Sequence, residues 1–260
     1  MKKKLLAALL ATAMTVTMFA GCGTPGSKDS KKDDSSASSG KKRITYTLRE
    51  DLPSMDPQNS NSISCATAEI CTYAMLTRNV EGEVKPDAAE SWDISDDGLM
   101  YTFHLRDDAV WSDGEPVTAA NFEYSWKRLV NPETASAYAF IGDCLKNGQA
   151  IEKGEMAVDE LGVKATDDTT LEVTLEHPTS YFLSLIGSSG EFAPIRQDIV
   201  EKYGTDFAAT ADKNVYCGPF ALTSSENNVW IFEKNENYWN KDSIKLDRCE
   251  LNYVENADTQ

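Results

Sequence analysis

The stretch Trp92–Pro132 reads WDISDDGLMYTFHLRDDAVWSDGEPVTAANFEYSWKRLVNP, and its alternation decides what kind of chain this is. Trp92 and Ile94 end one extended run, and Asp96-Asp97-Gly98 carries the turn chemistry of a hairpin. On the return, Tyr101, Phe103 and Leu105 alternate with Thr102, His104 and Arg106, the pattern of a strand with one buried and one polar face. Ser112-Asp113-Gly114 turns the chain again, and Pro116 keeps it extended. Thr118 stands where a helix cap belongs, Phe122, Trp126 and Leu129 follow at i, i+4 and i+7, and Asn131-Pro132 stops the helix. A hairpin followed by a capped helix is a mixed α and β unit, and on local pattern alone its aromatic residues belong to a core.

Working outward, Ile44–Leu48 alternates as a strand and Pro53–Pro57 is a turn-rich crossover. Thr67–Leu76 reads as a helix with Ile70, Tyr73 and Ala74 on its apolar face, and Asn79–Glu83 makes a tight turn. Downstream, Ala135–Leu145 is expected to be helical. Residues 162–165 and 171–175 form a second hairpin across Asp167-Asp168. Short helices are expected over Tyr181–Ile186 and Asp198–Tyr203. Strands are expected at Cys217–Phe220 and Val229–Glu233 around an Asn227-Asn228 turn, and a last strand alternates Cys249, Leu251 and Tyr253. The apolar face of that last strand has few evident partners in the residues after it. No internal repeat is visible, which argues against a solenoid or a propeller.

The N-terminus reads as an export leader. Lys2, Lys3 and Lys4 precede the apolar run Leu5–Ala20, which is short of the roughly 20 residues a spanning helix needs. It ends in Phe19-Ala20-Gly21-Cys22, which resembles the lipobox of bacterial lipoproteins, so residues 1–21 are expected to be a signal peptide and Cys22 the lipidated residue. Residues 22–43 are rich in Gly, Ser, Lys and Asp, a composition that cannot pack and serves as a flexible tether.

Composition and motifs mostly exclude. The formal net charge is −17, and such an acidic surface repels phosphate backbones, so nucleic acid is not an expected partner. With Cys22 assigned to lipid, Cys65, Cys71, Cys144, Cys217 and Cys249 remain, an odd set without a C-x-x-C spacing. They read as small buried apolar residues. His104 and His177 are far apart in sequence, and no zinc site is expected. No G-x-S-x-G, H-E-x-x-H, G-x-x-x-x-G-K-[ST] or G-x-G-x-x-G occurs, so no catalytic residue and no cofactor is assigned. Asp93, Ser95, Asp97 and Gly98 match half of a calcium loop, but His104 stands where the loop needs glutamate, and a plain turn is the better reading.

The run Ala88–Pro132, beginning AAESWDISDDGL, closely resembles the signature region of the oligopeptide-binding proteins of ABC importers, the extracellular solute-binding proteins of family 5. The likeness continues in TASAYA (Thr134–Ala139), LGVKA (Leu161–Ala165), LEVTL (Leu171–Leu175) and EKNENYW (Glu233–Trp239). Ser54-Met55-Asp56-Pro57 resembles the family's usual L-D-P. What the resemblance implies is an α/β fold, the first lobe of a periplasmic-binding-protein-like (type II) receptor with its extra α+β subdomain. Residues 44–76 and 194–260 would belong to the first lobe, and residues 77–193 to the inserted subdomain. The family continues into a second lobe carrying the acidic residue that anchors the peptide's amino terminus, so the chain is expected to be truncated before that lobe.

The implied function is capture of extracellular peptides and delivery to a membrane permease. The implied receptor is monomeric, anchored by lipid on the extracytoplasmic face of the bacterial cell membrane, and non-enzymatic. Asn61, Ser62, Ile63 and Ser64 correspond to the stretch whose backbone pairs with the peptide as an added strand. Tyr138 matches a position that lines the cleft, although an aromatic packed inside the subdomain fits the residue equally. Gly218 matches the family's Gly-Pro strand start, with Cys217 where the family has asparagine, so a polar contact there would be altered. Nickel or haem, which receptors of this fold also accept, stays open as a ligand, and a secreted acidic hydrolase or a surface-adhesion protein stays open as a function.

Overall fold

The structure, a computed structural model, describes residues 41–254. The elements follow as β1 (Arg43–Leu48), α1 (Ile63–Thr72), β2 (Thr77–Val80), β3 (Glu83–Pro86), β4 (Ala89–Ile94), β5 (Met100–Leu105) and α2 (Ala119–Val130). After them come α3 (Gly148–Glu152), β6 (Val163–Ala165), β7 (Thr170–Thr174), α4 (Phe182–Ile186), α5 (Gln197–Tyr203), β8 (Phe220–Glu226), β9 (Val229–Lys234) and β10 (Arg248–Tyr253). They make two four-stranded sheets, β1-β10-β9-β8 and β4-β5-β7-β6, and the small hairpin β2-β3.

The opening stretch folds as its pattern dictates. β4 and β5 pair antiparallel with Trp92 opposite Phe103 and Ile94 opposite Tyr101, and Gly98 N–H donates to Ser95 O at 2.8 Å to close the turn. Tyr101, Phe103 and Leu105 point inward with Leu171 and Val173 of β7, and all are buried. Phe122, Trp126 and Leu129 of α2 are fully buried. The Trp126 ring meets Phe182 and Phe192 edge-on, with centroids 6.3 and 5.1 Å away, and its indole N–H donates to Phe192 O at 3.0 Å. A large aromatic is stable inside when its polar atom is also satisfied. At the start of α2, Asn121 Oδ1 accepts from Thr118 N–H at 2.9 Å, so the residue three positions into the helix reaches back to the cap.

Several elements differ from the expectations. The first helix begins at Ile63 rather than Thr67 and ends at Thr72 rather than Leu76. Ser62 caps it, and Tyr73 is extended at φ −117° and ψ 143°. Tyr73, Ala74, Met75 and Leu76 are buried on every side, and a short continuous apolar run does not distinguish a helix from buried extended chain. Ala135–Leu145 holds only a 3-10 segment, Ala139–Cys144, because Ala135 is left-handed at φ 53°. β8 begins at Phe220 rather than Cys217, since Gly218 N–H is taken by Thr72 O at 2.8 Å. The last strand is better partnered than its sequence suggested: β10 lies between β1, parallel, and β9, antiparallel. Its partners are remote in sequence, which local reading does not reveal.

Candidate functional site

The segment Asn61–Ser64 is positioned by the loop before it, and that loop is clamped to α2. Arg128 donates from Nη1 to Asp56 Oδ1 at 2.9 Å and from Nη2 to Asp56 Oδ2 at 2.7 Å, a bidentate pair in which both side chains are largely buried. Such a pair fixes geometry more surely than it adds net stability. Gln58, fully buried, accepts from Arg128 Nη1 at 2.6 Å and donates to Ser125 O and Ser125 Oγ at 2.5 and 2.9 Å. Ser125 Oγ donates onward to Ala193 O at 2.5 Å. Asp56 also accepts from Gln58 N–H and Asn59 Nδ2, at 3.1 and 2.9 Å, so its carboxylate organises the whole turn.

The chain leaves this clamp extended and at once becomes a helix. Ser62, at φ −118° and ψ 151°, accepts at Oγ from Cys65 N–H at 3.1 Å, the N-cap arrangement. The segment is therefore not an extended edge along its length: only Asn61 and Ser62 can pair as a strand, while Ile63 and Ser64 form the first helical turn. N–H groups in that turn have no acceptor within the helix. Asn61 is exposed, Ser62 half-buried, Ile63 81% exposed, and Ser64 faces inward.

Further along α1 itself is Glu69, almost wholly buried, with Oε1 lacking a hydrogen-bond partner. Burial first, and then the nearby carboxylates Glu191 and Asp56, push its carboxyl up to about 8, against some relief from Ser60. The acid is therefore neutral at pH 7. Gly190 makes room for it, since a Cβ there would stand 2.6 Å from Glu69 Oε2.

The other expected site residues lie elsewhere. Tyr138 is half-buried, its ring 6.0 Å from that of Phe140. Cys217 is buried; its Sγ accepts from Ala74 N–H at 3.3 Å, and burial pushes the thiol up to about 12. Gly218 packs against the end of α1, where a Cβ would meet the Thr72 carbonyl carbon and Tyr73 N at 2.5 Å. In this structure the Cys217 side chain and the Gly218 backbone hold the interior together, so a side-chain contact from Cys217 to a ligand is not what it offers. Cys65 is buried as expected of these cysteines, but Cys71 is exposed. Cys22 lies outside the described residues.

Two polar centres escaped the sequence reading. One is the Asp56–Arg128–Gln58 clamp. The other is Asp87, almost fully buried, which accepts from Arg78 Nε, Met75 N–H, Tyr238 OH and Trp239 Nε1 at 2.9, 3.2, 3.2 and 3.0 Å. Arg106 lies over the Trp239 ring at 3.8 Å, and Asn235 Nδ2 donates to Gly218 O at 3.0 Å. The EKNENYW stretch is thus fastened by its own side chains. A groove of about 840 Å³ runs along the outer side of α2, but its Lys127 is already paired with Glu123 and Asp159, at 2.9 and 3.0 Å, and its Arg128 with Asp56. Among the described residues no group of three or more His, Cys, Asp or Glu side chains is placed to hold a metal, and no helix is long and apolar enough to cross a membrane.

Residues 83–260 match the sequence profile of the bacterial extracellular solute-binding proteins, family 5 Middle. The chain belongs to that family. It is similar to the dipeptide-binding protein DppE of Bacillus subtilis, 36% identical over 266 residues, covering 99% of this chain and 47% of the relative. Among solved structures it resembles the substrate-binding domain of an oligopeptide ABC transporter from Bacillus anthracis, with TM-score 0.81, 40% identity and coverage of 84% of this chain and 42% of the other. It also resembles peptide-bound OppA of Listeria monocytogenes, with TM-score 0.81, 37% identity and coverage of 85% and 44%. The chain spans about half the length of the curated relatives it matches. Its architecture is periplasmic-binding-protein-like α/β, matching a single lobe of such a receptor, and its relatives are binding proteins rather than enzymes.

Proposed function

We propose that this family 5 chain takes part in capturing short peptides for an ABC importer, with the start of α1 as its contact surface. The observation that carries the reading is Ile63, an 81% exposed apolar side chain on the first helical residue, delivered by a loop that Asp56, Gln58 and Arg128 hold rigid. An exposed apolar residue on a rigid support is what a ligand contact requires, because little side-chain or backbone freedom is lost on binding. Asn61 and Ser62 would supply backbone pairing, the N–H groups of Ile63 and Ser64 would meet a peptide carbonyl or carboxylate, and Tyr138, which lies elsewhere in the fold beside Phe140, would on the family resemblance line the cleft. The names of DppE, a dipeptide-binding protein, and of peptide-bound OppA favour a peptide as ligand.

In the same reading, residues 44–76 and 194–260 form one lobe and 77–193 an inserted subdomain. The pairing of β1 with β10, and the separate sheet β4-β5-β7-β6, support that division. The chain would act as a monomer on the outer face of the membrane, anchored through Cys22, and pass its peptide to permease subunits. Saturation-transfer NMR on the full chain with a mixture of unblocked di- to pentapeptides tests the site. Peptide signals should be saturated by the wild type and weakened in Ile63→Ser and Tyr138→Ala, with the peptides remaining intact. No saturation, equal saturation in the variants, or peptide cleavage would refute it.

A further inference from the structure

Two of the exposed large apolar side chains among the described residues face one groove. Phe140 is 56% and Tyr181 64% exposed, and both line a cavity of about 550 Å³ between the Ala139–Cys144 segment and the chain entering α4. The walls are fixed to each other: Glu176 N–H donates to Cys144 O at 2.9 Å, and Leu145 bridges Leu175. Leu185 adds an apolar contribution to the lining. The charged residues of the lining are Asp143 and Glu176, with His177 beside them, and it contains no lysine or arginine. Asp143 Oδ1 is buried without a partner, its Oδ2 takes a 3.3 Å bond from Gln149 Nε2, and the Glu152 carboxyl lies beside it. Glu176 Oε2 accepts one backbone bond, from Asn147 N–H at 3.1 Å. The groove thus combines two exposed aromatic rings with carboxylates that no side-chain cation neutralises.

We infer that this groove docks a basic, apolar polypeptide segment of a partner protein, with an arginine or lysine drawn to Asp143 and Glu176 and its apolar neighbours between Phe140 and Tyr181. Charge complementarity selects this occupant. An acidic segment would meet two like charges, whereas a guanidinium gains both a carboxylate partner and an aromatic face. An unpaired buried carboxylate oxygen is costly, and a cationic donor relieves that cost. Because both rings are exposed, truncating them leaves the core intact. The lining of this groove does not include Ile63, although the Phe140 ring lies 6.0 Å from that of Tyr138, and the existence of the groove does not depend on the peptide-capture reading.

The test uses calorimetry on the full chain with a probe blocked at both ends, acetyl-Leu-Arg-Phe-Arg-Leu-amide, and a control carrying glutamate in place of each arginine. Wild type should bind the basic probe and not the acidic one. The double variant Phe140→Ser/Tyr181→Ser, checked for folding by circular dichroism, should bind the basic probe roughly tenfold more weakly or worse, the loss expected of removing aromatic anchors. Ile63→Ser should bind it as the wild type does. Three results would overturn the inference: no binding of the basic probe, unchanged affinity in the double variant, or equal affinity for the acidic control. A loss confined to Ile63→Ser would place the probe on α1 instead, and would count against the groove and for the contact proposed there.

Discussion

The helices α1 and α2 are both capped, and they use their side chains in opposite ways. α2 turns Phe122, Trp126 and Leu129 inward, all fully buried, and leaves its charged residues on the outer groove. α1 buries Ser64, Cys65, Ala68, Glu69 and Thr72, a small and polar set, and sends Ile63 into solvent. α2 is anchored by bulk and α1 by close approach and hydrogen bonds, such as Gly218 N–H to Thr72 O. Small buried residues bring the α1 backbone near its supports, which fixes position without much apolar stabilisation. That is the arrangement expected of a helix whose end meets a ligand, while α2 serves as the pillar.

The sharpest way to break this contrast is to remove the bulk from α2. Trp126→Ala would empty a site packed by Phe182 and Phe192 and leave Phe192 O without its donor. Unfolding free energy from urea titration should fall by roughly 3–5 kcal/mol, in the range of large aromatic truncations in cores. A loss below about 1 kcal/mol, the scale of an ordinary surface change, would mean that α2 is not the pillar and that the two helices do not differ in kind.

How much of this was legible depended on the reach of the interactions. The hairpin β4–β5 and the inward face of α2 could be read because their signals are local, with alternation over a few residues and periodicity over three turns. The start of α1 was misplaced because Ser62, its cap, lies in a polar run (QNSNSIS) with several candidate caps. The Asp56–Arg128 and Asp87–Trp239 contacts join residues far apart in the chain, and no spacing rule pairs them. The candidate site was found by family likeness rather than by chemistry, since Asn61–Ser64 carries no titratable side chain at all. The conformation there, cap and helix rather than strand edge, was visible only in three dimensions.

The second way to sharpen the contrast is through Glu69, since α1 buries a carboxyl at its centre. The folded chain holds that proton up to about pH 8, whereas an unfolded glutamate releases it near 4.5. Between those values the unfolded state binds fewer protons than the folded state, so stability falls as pH rises, by about 1.4 kcal/mol per pH unit from this one group. Below pH 4.5 the group contributes no slope, and above about 8 its penalty is constant. Glu69→Gln should flatten the urea-derived stability profile between pH 5 and 8 by about that slope. Glu191, whose carboxyl is also raised by burial, adds a slope of the same sign. An unaltered profile in the variant would show that the acid is not held neutral on α1.

The smallest expected effect is the most telling about the outer end of α1. Ile63 is the largest apolar residue of the first helical turn, yet with 81% of its surface in water it contributes almost nothing to the folded core. Ile63→Ser should therefore change unfolding free energy by no more than about 0.5 kcal/mol, the usual range for exposed positions, even though an isoleucine at a buried site would cost several times that. The helix start should not suffer, because the cap belongs to Ser62 and the clamp to Asp56, Gln58 and Arg128, none of which the substitution touches. A loss of 2 kcal/mol or more, the size of a core truncation, would mean that Ile63 is covered by another part of the molecule in solution. Its exposure would then reflect unmet packing, and the case for a ligand contact at this position would fall with it. An unchanged stability combined with weakened peptide saturation would separate binding from folding at this residue, as the contrast between the two helices requires.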